Sequence, residues 1–343
     1  MILMMTIDTE EEWDWDGPFP TEGARVENVT RLNGFQQLCA TYGLATTYFV
    51  SHAVMADARA RDALLELHAG GGVELGMHVH PWNTPPVETN RIVTARDSFL
   101  HNHPEPLIRR KLDVSLEQFR AAGITPTSFR GGRYSSSDAI RRWLVDHRFV
   151  ADCSAVPYTR WRDDGAPDYS TRDPFPVRFH GRAEGYPLWD IPLTVAFTRG
   201  PFDFWARVFD RVEGSRLAHL RLIGLAHRVG LIRRVWLNFD TPDTAQWLDV
   251  IIRLKALGAP CVTITVHSTS LVAGVNPYTR TADDERRLFA RIDRLFADLA
   301  RVPGLKFRTA SDAAGVLEER VTGRAGASGT GSLAGAIRAG ERA

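Results

Sequence analysis

The sequence predicts an α/β fold, a single (β/α) barrel of about seven parallel strands. Three observations predict it. Short apolar or β-branched runs alternate with helical patterns through most of the 343 residues. Roughly seven such runs with helices between them suit one parallel barrel better than an open sheet. Polar residues with chemical potential fall at the C-terminal ends of the expected strands, where barrels keep their sites.

Each element has a local reason. The buried run MILMMTID (1–8) reads as the first strand, and VTRLNGFQQLCATYG (29–43) has helical spacing and ends in a capping Gly. LATTYFVS (44–51) is a second strand, ARDALLELHAGGG (60–72) a helix stopped by glycines, and VELGMHVH (73–80) a third strand. Residues 104–123 form a long amphipathic helix with Pro early and Gly at its end. TSFRGG (127–132) is strand-like and precedes a helix over 135–148 with Ser available as its cap. Further strands are expected at 149–156, 188–195 and 261–268, and further helices at 241–258 and 283–302. The segment 201–234 reads as one or two amphipathic helices inserted between strands. Its apolar-and-Arg pattern could lie on a membrane surface, but packing on the barrel is the commoner use of such a face. A single domain over 1–319 is therefore expected, with a flexible Gly/Ala/Arg tail over 320–343.

Composition narrows the function classes. A net charge of +1 offers no broad basic field for nucleic acid. The 42 Lys+Arg include only Lys111, Lys255 and Lys306, so 39 are Arg, a skew that reads as codon bias. Three cysteines without a CxxC pair fit structural thiols in a reducing compartment, and no run approaches the length of a transmembrane span. With no signal-peptide pattern in MILMMTIDTE, a cytoplasmic location is the expectation.

Four stretches carry chemistry. In TIDTEEEWDWD, Asp8 and Glu10 lie two apart at a strand end and leave on one face. An acidic loop running on through Glu11, Glu12, Asp14 and Asp16 is an equal reading of that stretch alone. In ELGMHVHPWN, His78 and His80 repeat the same spacing on another strand. Two imidazoles and a carboxylate, with positions left for water, make a site for zinc or a similar divalent metal. The rival pair His101 and His103 sits in a loop with no fixed common face. In SFRGGRY, Arg130 could fix a carboxylate, and Gly131 and Gly132 allow backbone N–H groups close to a ligand. In VTITVHSTSLVAG, His267 emerges from a β-branched strand and suits a general acid, with a core His as the alternative.

In order and content these motifs resemble the polysaccharide deacetylases (NodB homology, carbohydrate esterase family 4), in particular the bacterial branch marked by GxHxHPW, FRxGRY and HSxSL…G…PY. The chain has GMHVHPW, FRGGRY and HSTSLVAGVNPY, with TIDTE before them and WDIPLT between the last two, together spanning residues 6–278. The resemblance implies a distorted NodB-type barrel and metal-dependent removal of N-acetyl groups from a carbohydrate. It implies that Asp8 is the general base and that Glu10, His78 and His80 hold the metal. Arg130 would hold Asp8 and His267 would protonate the departing amine, with Asp190 to orient it. Backbone N–H groups near Gly131 to Tyr134 would stabilise the oxyanion, and Trp13, Trp15 and Trp82 could stack on sugar. Zinc is the expected ion, with cobalt, manganese and nickel as alternatives; the expected partner is an N-acetylated sugar.

The chain departs from the commonest family pattern in three places. Thr9 stands where a second aspartate is usual, so the carboxylate ligand is Glu10 or Asp8 itself. The histidines are two apart rather than four, and Gly132 replaces a proline. Two other readings stay open on the same barrel: hydrolysis of another small amide or imide, and glycan binding without turnover.

Overall fold

The structure, a computed structural model, describes residues 1–88, 92–179, 187–213, 232–241 and 244–325. Its strands are β1 (Ile2–Thr9), β2 (Thr46–Val50), β3 (Val73–Val79), β4 (Ser128–Gly131), β5 (Ala151–Asp152), β6 (Val177–Phe179), β7 (Leu188–Asp190), β8 (Val195–Phe197), β9 (Arg234–Trp236), β10 (Cys261–His267) and β11 (Lys306–Phe307). The helices are α1 (Asn33–Thr41), α2 (His52–Ala56), α3 (Ala58–Ala69), α4 (Glu105–Ala121), α5 (Asp138–Asp146), α6 (Phe202–Glu213), α7 (Trp247–Ala256), α8 (Ala282–Ala300) and α9 (Ala310–Ala325).

Seven strands run parallel in the order β10-β1-β2-β3-β4-β5-β7, and they are the seven that the hydrophobic pattern predicts. β6 adds antiparallel to β7, and β11 pairs with the start of β1. The run 188–195 does not stay one strand. Pro192 cannot donate to a ladder, so β7 stops at Asp190 and the chain restarts as β8, which pairs with β9 as a two-stranded ribbon. These pieces span the seam between β7 and β10. Leu237 N–H donates to Thr194 O at 3.0 Å, and Thr265 N–H donates to Leu237 O at 2.9 Å. The result is a distorted α/β barrel.

Alternation along each strand builds two cores. Leu3, Met5 and Ile7 of β1 face outward into the helix layer. Ile2 and Met4 face inward and meet Phe49, Cys153, Trp189, Ile191 and one face of α9, which plugs the bottom of the barrel. Helix α4 buries Ile108, Leu112, Leu116 and Phe119, a stripe at helical spacing whose side chains contribute ~1.5–3 kcal/mol each. Asp57 caps α3 by accepting from Ala60 N–H at 2.8 Å, and Ser137 caps α5 at Ile140 N–H.

Within the insertion, α6 sinks Phe202, Ala206 and Phe209 into the outer core; residues 214–231 lie outside the described residues. The helical period of α9 continues through Ala325, past the expected start of the tail at residue 320, and 326–343 lie outside the described residues. All three cysteines are buried and free. No helix among the described residues is long and apolar enough to cross a membrane.

Candidate metal centre and active site

The barrel interior turns polar toward its C-terminal end. Arg130, fully buried on β4, lies across the barrel beneath that end. Its Nη1 donates to Asp8 Oδ1 and to Thr265 Oγ1 at 3.1 Å; its Nη2 donates to Thr6 Oγ1 at 2.9 Å. Its Nε donates to Cys153 O at 3.0 Å, and the guanidinium lies 4.4 Å from the Phe49 ring centre. One cation thus joins β1, β10 and the residue that follows β5 to β4. With Oδ1 held from below, Asp8 turns Oδ2 toward the cleft, 3.7 Å from His267 Nε2.

Above this layer Glu10, His78 and His80 converge. All three are buried, and one ligand atom from each lies within 4.8 Å of the others. Glu10 Oε2 is 3.2 Å from His80 Nε2 and 3.7 Å from His78 Nε2. Two ligands each ~2.1 Å from a tetrahedral zinc are about 3.4 Å apart, so the donor set fits a divalent ion. The ring tautomers fit as well. His78 Nδ1–H donates to Arg130 O at 2.7 Å, and His80 Nδ1–H donates to Glu11 Oε1 at 2.8 Å. Both partners only accept, so each Nε2 turns its lone pair to the centre. Burial alone would lower the His80 pKa, but the charges of Glu11 and Glu10 push it up to about 10. Burial opposes ionisation of Glu10, yet the His267 charge and the two ring nitrogens hold its carboxyl well below the usual range. A metal ion on Nε2 would take the place of the proton that those carboxylates favour.

Glu11 is the residue that sequence reasoning left in the acidic loop. It is fully buried and accepts from His80 Nδ1, from Trp82 Nε1 at 3.1 Å, from Asn83 Nδ2 at 2.5 Å and from Ser51 Oγ at 3.1 Å. A carboxylate with four donors is set, and it fixes the His80 ring. No local signal separates it from Glu12, because its partners come from the residues that directly follow β2 and β3.

Asp190 does not orient His267. Trp189 and Ile191 point into the barrel, so the alternation turns Asp190 outward, where it accepts from Arg172 Nε at 3.3 Å. Asp240 holds that place. His267 Nδ1–H donates to Asp240 Oδ2 at 2.5 Å, and Ser270 Oγ donates to Asp240 Oδ1 at 2.6 Å. Burial would lower the His267 pKa, but Asp240 and Glu10 push it up to about 10. A signal did exist: VWLNFD is an apolar run ending in Asp, like MILMMTID.

Gly132 answers two of the departures at once. A Cβ there would lie 2.4 Å from His80 Cδ2 and 2.6 Å from Val79 O. The close histidine spacing seats the His80 ring where any other side chain at 132 would begin. Gly131 N–H donates to Ser154 Oγ at 2.9 Å, so the expected backbone donors near the site narrow to 132–134. Arg133 and Tyr134 follow with φ of 49° and 63°, left-handed values that cost ~1–3 kcal/mol each for such residues.

These groups floor a cleft of about 390 Å³ whose walls include five of the nine tryptophans, Trp13, Trp15, Trp82, Trp161 and Trp236. Such a wall suits the apolar faces of sugar rings. Trp82 itself is only 2% exposed and stacks on His80 at 4.1 Å, so it packs the site, whereas Trp13 and Trp15 are partly open. The rival histidines are spent locally: His101 Nε2–H donates to Gly165 O and His103 Nε2–H to Asp97 O.

No family model matches the sequence, and no curated protein matches it. Solved structures do match in shape. A protein assigned to the polysaccharide deacetylases from Mycobacterium smegmatis aligns over 93% of this chain and 91% of its own, with TM-score 0.54 and 11% identity. A 4-alpha-glucanotransferase from Thermococcus litoralis aligns over 92% of this chain and 40% of its own, with TM-score 0.49 and 9% identity. A peptidoglycan deacetylase from Bacillus subtilis aligns over 94% and 95%, with TM-score 0.40 and 12% identity. The first of these likenesses is one of fold: the two chains share an α/β barrel.

Proposed function

We propose that the chain is a metal-dependent carbohydrate N-deacetylase of carbohydrate esterase family 4, in its GxHxHPW branch. The observation that carries this reading is the convergence of two sets of groups on one aromatic cleft. Glu10, His78 and His80 form one, and Asp8 with His267 forms the other. Glu10 and the two Nε2 atoms would hold the ion; two imidazoles with one carboxylate suit zinc, with cobalt, manganese and nickel as alternatives. When bound, such an ion polarises an amide carbonyl and makes a water more acidic.

The chain's own residues supply the proton traffic. Asp8, its Oδ1 held by Arg130, takes the proton of the attacking water on Oδ2. Backbone N–H groups of 132–134 stabilise the developing oxyanion. His267, kept charged by Asp240, donates from Nε2 to the amide nitrogen as the C–N bond breaks. The products are acetate and a sugar amine. Trp13 and Trp15 orient the ring from the cleft wall.

The test is acetate release from a panel of N-acetylated sugars. Release should stop with a chelator, return with zinc, and be absent in His78→Ala. Full activity in metal-free protein would overturn the reading, as would zinc-loaded protein that hydrolyses small amides and no acetylated sugar.

A further inference from the structure

Lys111 is a buried cation with no part in the chemistry above. It is 2% exposed on α4, and it is one of three lysines in a chain with 39 arginines. Its Nζ donates to Pro81 O at 2.8 Å, to Thr84 O at 2.6 Å and to Pro86 O at 2.8 Å. Those carbonyls belong to PWNTPP, the loop that leaves β3 directly after His80. Three prolines in six residues give this loop acceptors but few N–H donors, so its buried carbonyls need a donor from elsewhere. An ammonium offers three N–H groups around one point and meets three converging carbonyls. A guanidinium is a planar fork and cannot. Burying the cation is costly, and desolvation pulls its pKa down to about 8 with the Glu88 charge opposing.

The loop it gathers touches the metal centre. Trp82 stacks on the His80 ring, and Trp82 Nε1 and Asn83 Nδ2 share Glu11 Oε1 with His80 Nδ1. We propose that Lys111 is a positioning residue for the metal centre. By gathering the carbonyls of Pro81, Thr84 and Pro86 it sets Trp82 and Asn83, which set Glu11 and so the His80 ring. It is lysine in an arginine-rich chain because only an ammonium fits there. This rests on Glu10, His78 and His80 binding metal.

The experiment measures zinc affinity of the full chain by competition with a chromophoric chelator, together with thermal melting of the metal-free protein. The variants are Lys111→Gln, Lys111→Met and Lys111→Arg, with the surface change Lys255→Met as control. The expected loss is about 3–10-fold in affinity, below the ~10–100-fold for groups bonded directly to a ligand, because Lys111 acts through Trp82, Asn83 and Glu11. It should be smaller for Gln, which keeps two donors, than for Met, and Arg should rescue no better than Met. Melting that falls while zinc affinity stays within twofold of the parent would make Lys111 merely structural and overturn the inference. Rescue by Arg would overturn the ammonium argument. A parent that binds no zinc would instead sink the metal reading, and this role with it. Should the Lys111 variants not fold, Trp82→Phe tests the same route, since it removes one donor to Glu11. Unchanged zinc affinity there would refute the coupling.

Discussion

Replacing Gly132 by Ala tests the close packing of the chain just after β4 against the His80 ring. The added methyl would sit 2.4 Å from His80 Cδ2, and ordinary contact begins near 3.4 Å, so the ring must retreat by about 1 Å or the backbone must shift. Val79 O, 2.6 Å away on the same side, is backbone and cannot swing clear. Zinc–nitrogen distances tolerate only ~0.2 Å. A displacement several times larger removes His80 as a ligand in its present geometry. The expected result is a loss of about 10–100-fold or more in zinc affinity, with ~1–3 kcal/mol of stability lost to overpacking. Isothermal titration with zinc and thermal melting of the metal-free protein read the two effects separately. Gly34→Ala is the control: nothing lies within 4 Å of its Cβ and it sits in the first turn of α1, so the change should leave zinc affinity unchanged and lower stability in no measurable way. If Gly132→Ala bound zinc as the parent does, the claim that the two-residue histidine spacing requires glycine at 132 would be wrong.

Three further outcomes follow from the same geometry. Glu11→Gln should weaken zinc binding about 10–100-fold with the fold intact, because it disturbs the partner that fixes the His80 ring; unchanged affinity would remove Glu11 from the site. In Asp240→Asn the raised His267 pKa loses its main support. A raised pKa keeps the acid charged below it and lets activity fall as pH rises through about 10, so the alkaline limb of the rate profile should move toward neutrality. A limb that stays in place would separate Asp240 from the proton donor. Arg130→Met should cost about 3–5 kcal/mol in denaturant unfolding, since it strands the buried Asp8 carboxylate; a loss under 1 kcal/mol would show that the pair is not what ties β1 to β4.

Local pattern alone determined much of this molecule. Hydrophobic alternation is a property of neighbouring residues, so the seven parallel strands could be read directly, although the runs 149–156 and 188–195 leave the sheet early, at Asp152 and Asp190. With them came the polar residues at strand ends, Asp8, Glu10, His78, Arg130 and His267. The same period-two rule put His78 and His80 on one face, and their rings do meet the same point. Tertiary structure decided what depends on residues far apart in the chain. Glu11 looks like Glu12 until the residues that directly follow β2 and β3 close around it. Asp240 replaces Asp190 as the partner of His267, because Pro192 ends one strand and the ribbon of β8 and β9 brings 237–240 alongside β10. Gly132 and His80 explain each other only once β3 and β4 lie side by side, with His78 in register with Arg130. The physical reason is common to all three: periodicity says which way a side chain leaves its strand, while sheet order and closure say what it meets there.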